Sequence, residues 1–157
     1  MDLLVDAMCG GIVTYLRMCG HDAVYAGDRD LAADDAIVAA AHAEGRTVIT
    51  RDVDLAARAD RSILLTTRSV EDQLAELVAA EVELKLTDEP MRCGQCNGPL
   101  EPVEPTVETP EYVPEPGEKE TWRCRSCGQY FWQGSHWDRV ADTLERVRSA
   151  ARARDER

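Results

Sequence analysis

The sequence has few aromatic side chains and no long apolar run. Aromatic residues make up 5% of its 157 residues and include a single Phe, so the core must be built mainly from Ala, Val, Leu and Ile. Hydrophobic residues still account for 44%, which excludes disorder throughout the chain. At this length we expect one α/β unit with at most a small appendage.

Membrane and export signals are also lacking in the sequence. No apolar stretch approaches the roughly 18 residues that span a bilayer. The first residues have neither the basic region nor the apolar region of a signal peptide. We therefore expect a cytoplasmic protein with no membrane partner.

Lysine is scarce and negative charge dominates. The chain has 30 acids against 18 bases and a net charge of -12, and only Lys85 and Lys119 among the bases are lysines. Such a surface is typical of a halophilic protein, in which salt screens the repulsion between like charges. A pI near 4.6 ordinarily argues against a nucleic-acid partner, but here the acidity is explained by the solvent.

Residues 1–88 alternate short apolar runs with helical patterns. The runs predict strands at 3–5, 22–25, 47–50 and 62–66, with helices between them and after the last. Strands separated by helices need crossover connections, which give a parallel sheet flanked by helices on both faces. We predict a small doubly wound α/β domain over 1–88.

Residues 89–137 contain two C-x2-C pairs separated by 27 residues: Cys93 with Cys96, and Cys124 with Cys127. Four thiolates on two tight turns form the tetrahedral set that structural zinc takes, so the spacing predicts a four-Cys zinc ribbon. Two disulfides are disfavoured in the cytosol. The other two cysteines are predicted to be small core residues.

Two further segments complete the second half of the chain. Residues 101–120 contain five Pro and seven Glu, which predicts an extended, solvated excursion within the ribbon. Over 138–157, apolar residues recur at helical spacing and predict a C-terminal helix that frays near Arg152–Arg157.

Acidic residues follow the predicted strands and open the predicted helices. Asp6 follows the first strand, Asp52 follows the third, and Asp54 lies two residues further on. Asp34 stands at the start of a helix. Since the carboxyl ends of parallel strands share one edge of the sheet, these four carboxylates are expected to converge. Alternatively, these acids are helix caps: either Asp34 or Asp35 caps one helix, and Asp54 caps the short helix that follows it.

Converging carboxylates repel one another unless a cation is present. Oxygen ligands favour the hard ions Mg²⁺ and Mn²⁺. A metal held by Asp groups supports in-line displacement at phosphorus, so the acidic cluster predicts hydrolysis of phosphodiester bonds.

Several motifs occur in a specific order along the chain. They are DAMCGGIVTYLRMCGHD at 6–22, DDAI at 34–37, TRDVDL at 50–55, the two C-x2-C pairs, and GSHW at 134–137. Together they resemble the mutator-seven C-terminal RNase family, in which a PIN-like ribonuclease domain is fused to a zinc ribbon.

The resemblance implies metal-dependent cleavage of RNA. It places Mg²⁺ or Mn²⁺ in an acidic pocket formed by Asp6, Asp34, Asp52 and Asp54, and its Asp-x-x-Ile pattern favours Asp34 over Asp35. It is also compatible with a homodimer and with a protein regulator as partners. The sequence departs from the family at Gly11, where a basic residue is common, and at Tyr15, where Trp is usual.

Two arginines are candidates for binding the substrate. Arg51 is predicted to contact a phosphate beside the acidic pocket, and the alternative is a surface ion pair with Asp54 or Glu44. Arg17 is predicted either to contact RNA or to form an ion pair or a helix-dipole contact.

The last part of the chain offers a second candidate RNA surface. Residues 121–157 carry eight Arg against five acids, a local net charge of +3, which favours an RNA backbone. Trp137 is predicted to anchor the terminal helix on the ribbon, and His136 to order the turn before it. Stacking of an RNA base on Trp132, Tyr130 or Trp137 is the alternative.

Three other functions match parts of the sequence. Asp52-Val-Asp54 resembles the nucleophile motif of haloacid-dehalogenase phosphatases, but only 38 residues separate Asp54 from Cys93 and the later motifs are missing. A receiver-like domain needs a pocket lysine, and Lys85 lies at a helix end after the last strand of the predicted parallel sheet. A catalytically inactive zinc-ribbon module that binds RNA or protein remains the stronger alternative to a ribonuclease.

Overall fold

Four short strands form a parallel sheet in a computed structural model of the chain, which describes residues 1–155. They are β1 (Asp2–Val5), β2 (Asp22–Tyr25), β3 (Thr47–Thr50) and β4 (Ser62–Leu64), in the spatial order β2-β1-β3-β4. The predicted parallel sheet is confirmed. Because β1 pairs with both β2 and β3, the strand order reverses there, and the carboxyl ends of β1 and β3 flank the switch point.

Helices connect these strands and cover both faces of the sheet. They are a 3-10 helix at Ala7–Ile12, α1 (Val13–Met18), a 3-10 helix at Ala26–Arg29, α2 (Asp34–Glu44), α3 (Val53–Arg58) and α4 (Val70–Ala79). Leu3 and Val5 pack on the side of α1 and α4, whereas Leu4 packs on the side of α2 and α3. Burial on both faces explains why the strands are continuous apolar runs.

The predicted C-terminal helix is confirmed as α5 (Ser135–Asp155), while residues 156–157 lie outside the described part of the chain. Its apolar residues Val140, Leu144 and Val147 are buried in the same core cluster as Leu74 and Leu77 of α4. The helix therefore packs on the α/β domain and adds a third α-helix to that face of the sheet.

The ribbon is a separate antiparallel sheet of three strands, β5 (Leu100–Pro102), β6 (Thr121–Cys124) and β7 (Tyr130–Trp132). The Pro- and Glu-rich excursion leaves β5 and returns at β6 through turns. Most of the excursion is exposed, but Val113 is buried and anchors it. Among the described residues, no helix combines the length and apolar character that crossing a bilayer requires.

Candidate active site and metal centre

Asp6 lies at the carboxyl end of β1 and is only 7% exposed. One carboxylate oxygen accepts the backbone N–H of Ala7 at 2.8 Å, and the other accepts the hydroxyl of Thr50 at 2.7 Å. Within residues 1–155, no Lys, Arg or His forms an ion pair with it. A nearly buried carboxylate without a cation is suited to bind one, because buried charges in proteins are normally paired or bound to metal.

Asp52 is linked to Asp6 through the same hydroxyl group. The Oγ1 atom of Thr50 accepts the backbone N–H of Asp52 at 3.0 Å. The carboxylate of Asp52 caps α3, accepting the N–H groups of Asp54 at 2.9 Å and Leu55 at 3.2 Å through Oδ1. Its other oxygen accepts no hydrogen bond within the described residues. Asp52, and not Asp54, is therefore the cap of this helix.

The other two predicted acids lie at helix starts. Asp54 is exposed in the first turn of α3. Asp34 is the first residue of α2, whose cap is Ala33, and its carboxylate lies 4.0 Å from the guanidinium of Arg58, which also pairs with Asp35. In the described chain, no three carboxylates have oxygens within 4.8 Å of one another. A single ion shared by all four acids stays a prediction.

Arg51 lies between Thr50 and Asp52 and is half-buried. Its guanidinium makes no hydrogen bond or ion pair within residues 1–155, and Glu44 is instead paired with Arg29 and Arg46. The ion pair considered as an alternative role for Arg51 is therefore not formed. The side chain is available to an anion at the edge that carries Asp6 and Asp52.

Cys9 lies close to this edge but is not suited to act as a nucleophile. Its side chain is buried. Burial, together with the negative charge of Asp6, raises the pKa of the thiol to about 11. Because only the thiolate is strongly nucleophilic, Cys9 is a poor nucleophile at neutral pH, and its burial agrees with the predicted core role.

The four remaining cysteines form the predicted cluster. Their sulfur atoms all lie within 4.8 Å of one another, with Sγ to Sγ distances of 3.6 Å for Cys93 and Cys127 and 3.5 Å for Cys96 and Cys124. All four are free thiols. A tetrahedral zinc ion with Zn–S bonds of about 2.3 Å requires sulfur atoms about 3.8 Å apart, so this donor set fits zinc.

The backbone of the cysteine turns stabilises the thiolate form. The backbone N–H groups of Ser126 and Cys127 each lie 3.4 Å from the sulfur of Cys124. Burial opposes ionisation of Cys124, but the N–H groups of Cys127 and Ser126, together with side-chain hydrogen bonds from Cys96 and Cys127, outweigh it and lower the pKa of the thiol to about 7. At Gly98, a Cβ atom would lie 2.9 Å from the same sulfur, which explains the glycine.

The Mut7-C RNAse domain model matches residues 1–144, which include the parallel sheet, the edge with Asp6 and Asp52, and the cysteine cluster. The chain belongs to the Mut7-C RNAse domain family. This confirms the predicted family and supports a ribonuclease-type hydrolase with RNA as its substrate class. No curated protein and no solved structure matches the chain.

Arg17 fastens the ribbon of this Mut7-C RNAse domain to the α/β domain. It is 3% exposed, and its guanidinium donates to the carbonyls of Ala23 at 2.9 Å and Gly94 at 3.0 Å. A further contact of 3.8 Å reaches Asp28. The ion pair considered as an alternative for Arg17 is therefore formed, and burial leaves its guanidinium inaccessible to RNA.

Asp22 is a second residue of this junction. Its carboxylate accepts hydrogen bonds from Arg46 at 2.9 Å and from the side chain of Asn97 at 2.7 Å. Burial opposes its ionisation, but these two hydrogen bonds outweigh burial and lower the pKa of the carboxyl group. Asn97, which has a φ of 71°, also accepts the N–H of Ala23, so the first cysteine turn is held on the edge of β2.

Proposed function

We propose that this Mut7-C RNAse domain hydrolyses phosphodiester bonds in RNA with a divalent cation held at Asp6 and Asp52. The observation that carries the proposal is the nearly buried Asp6 carboxylate at the switch point, with no protein cation paired to it within the described residues. Ligands in open α/β sheets bind in this crevice, beyond the carboxyl ends of the strands.

The donor set fits Mg²⁺ or Mn²⁺. Mg²⁺ is commonly held by one or two carboxylates and keeps several water molecules, so Asp6 and Asp52 suffice as protein ligands. Asp54 and Asp34 complete the proposed acidic pocket, with Asp34 shared between the pocket and Arg58. When bound, such an ion neutralises the negative charge that develops on phosphoryl oxygens and makes water more acidic.

The chain's own residues have distinct roles in this proposal. Thr50 holds the carboxylate of Asp6 and the backbone of Asp52 in one arrangement. The capping bonds of Asp52 orient its free oxygen. Arg51 contacts a phosphate of the bound RNA, since its guanidinium has no acidic partner in the described chain and can bind two phosphate oxygens at once. Zinc at the four cysteines is structural, because four protein ligands leave no open position.

Cleavage of labelled single-stranded RNA by the parent chain and by Asp52→Asn tests this proposal, with Mn²⁺, with Mg²⁺ or with neither. We expect cleavage by the parent to require the ion and to fall about 100-fold or more in the variant, because a catalytic ion contributes several kcal/mol. Asn caps a helix as well as Asp does, so the variant should unfold at the parent's temperature.

Asp60→Asn is the matched control. Asp60 is exposed and precedes β4, at the opposite edge of the sheet, so its replacement should leave cleavage unchanged. The assays should be run in high and low salt, given the acidic surface. If RNA is bound but stays intact with either ion, the catalytic proposal is wrong and the chain is a binding module.

A further inference from the structure

A cleft lies between α1, the ribbon strand β7 and the start of α5. It has a volume of about 470 Å³, and its walls include Tyr15, Tyr130, Phe131 and Trp132. A small apolar cavity beside it shares Phe131 and Trp132 and adds Trp137. These five side chains, of the eight aromatic residues in the whole chain, define the aromatic cleft.

The aromatic cleft is free of carboxylates. No Asp or Glu is among the described residues that line it, although the chain contains 30 acids. Arg92 lines the adjoining cavity but is paired with Asp22 at 3.6 Å, whereas the guanidinium of Arg123 lies over the ring of Tyr130, 5.4 Å from its centre, and has no acidic partner within the described residues. The cleft therefore repels an anionic ligand less than most of the remaining surface does.

Hydrogen-bonding groups lie between the aromatic walls. Gln95 and Gln129 supply amides that both donate and accept, as the edges of nucleobases require. Ser135 and His136 bring the first turn of the 21-residue helix α5 to the cleft. The backbone N–H groups of such a turn have no partners within the helix and favour negative charge.

We propose that the aromatic cleft binds an unpaired base of the RNA chain, stacked on its aromatic side chains, with the adjoining phosphate near Arg123 and the start of α5. The inference rests on the proposed ribonuclease function. Stacking on aromatic faces suits single-stranded RNA, because bases in a duplex are stacked on one another and are not free to enter a cleft.

The cleft and the acidic edge can be reached by one RNA molecule. Asp6 and Tyr15 are joined by the 3-10 helix and the first residues of α1. Since these helices rise by no more than about 2 Å per residue, the Cα atoms of Asp6 and Tyr15 lie within about 20 Å of each other. The base held in the cleft therefore belongs to a nucleotide a short distance along the strand from the phosphate to be cleaved.

Binding is measured with the zinc-loaded Asp52→Asn chain, without Mg²⁺ or Mn²⁺, so that no RNA is consumed. The two probes are a labelled five-nucleotide oligouridylate and an abasic oligomer with the same length and phosphate charge. We expect the base-bearing probe to bind about fivefold or more tightly than the abasic one, the effect of stacking one base. Equal affinities for the two probes would overturn the proposal, and this test needs no substitution in the cleft.

Adding Tyr130→Leu to the same chain tests the cleft itself. This variant removes the aromatic face but keeps apolar bulk, and we expect it to abolish most of the preference for the base-bearing probe. Tyr112→Leu is the matched control, because Tyr112 is 61% exposed in the excursion and should leave the preference intact. Unchanged zinc content shows that the ribbon is folded in both.

Two further results would overturn the inference. One is an equal preference for the base-bearing probe in the Tyr130→Leu and Tyr112→Leu chains. That result would show that the base does not stack on Tyr130 and would make a protein segment the better candidate ligand of the cleft. The other is equally tight binding of an RNA duplex. Failure of the proposed ribonuclease function is detected separately, as absence of RNA cleavage by the parent chain, and it does not affect the interpretation of these binding measurements.

Discussion

The hydroxyl of Thr50 donates a hydrogen bond of 2.7 Å to the carboxylate of Asp6, across the boundary between β3 and β1. Thr50 is fully buried, and its oxygen also accepts the backbone N–H of Asp52. One side chain therefore sets the positions of two acids that follow neighbouring strands. The relationship makes Thr50 a positioning residue for the proposed site.

Replacing Thr50 tests this role. Thr50→Val keeps the shape of the side chain but removes the donor from a nearly buried carboxylate, which should lower the free energy of unfolding by about 1–3 kcal/mol. Thr50→Ser retains the hydroxyl and should keep the cleavage activity that Thr50→Val loses. Urea unfolding and RNA cleavage are the measurements. Equal cleavage by the Val and Ser chains would contradict the positioning role.

The two arginines considered for RNA binding should differ when each is changed to Met. Arg17→Met leaves the carbonyls of Ala23 and Gly94 without their donor, and we expect a loss of about 2 kcal/mol in unfolding free energy. Arg51→Met breaks no hydrogen bond of its guanidinium within residues 1–155, so stability should change by less than about 0.5 kcal/mol while RNA cleavage falls. The prediction fails if Arg51→Met is the less stable chain.

Zinc content tests the cysteine cluster. Metal analysis should find one zinc per chain, and Cys96→Ser should lose most of it, because the set of four sulfur ligands is broken. Cys19→Ala should keep its zinc, since Cys19 lies in the core away from the cluster. Removing zinc with a chelator should also expose the first cysteine turn to proteolysis. Full zinc content in Cys96→Ser would rule out the four-sulfur site.

The stability of the fold should depend on the protonation of His21. Burial lowers the pKa of its imidazole below the ordinary value of 6.5, while its ring contacts the amino group of Met1 and the carbonyl of Glu83. The unfolded chain then binds the proton more readily, so stability present above about pH 6.5 is lost as the pH falls toward the folded-state pKa.

Thermal unfolding between pH 7 and 5 measures this effect. We expect His21→Gln to show a flatter decline of the unfolding temperature than the parent. His136→Gln, a change at an exposed histidine, should follow the parent. The pKa of His42 is raised by its hydrogen bond to Asp60, so its protonation changes stability in the opposite direction. His42 is present in all three chains. Parallel curves for His21→Gln and the parent would show that His21 does not control this range.

Much of the fold follows from local patterns in the sequence. The strand at 47–50 is found where the apolar run predicts it, and the predicted helix before it ends at Gly45, which has a φ of 65°. The order of two C-x2-C pairs was sufficient to predict the sulfur cluster, because each pair must form its own tight turn. Helix caps follow less well from the sequence: Ala33 and neither Asp34 nor Asp35 caps α2, and Asp52 caps α3 in place of Asp54.

Local spacing and strand direction suffice to predict the alternation of strands and helices, the parallel sheet, the cysteine ligand set and the acids that follow β1 and β3. Three tertiary contacts do not follow from such local patterns: Thr50 joins Asp6 to Asp52, Arg17 is buried at the ribbon, and α5 packs on α4. Those contacts depend on which elements become neighbours in space. That choice is made by packing and hydrogen bonding between residues far apart in the chain.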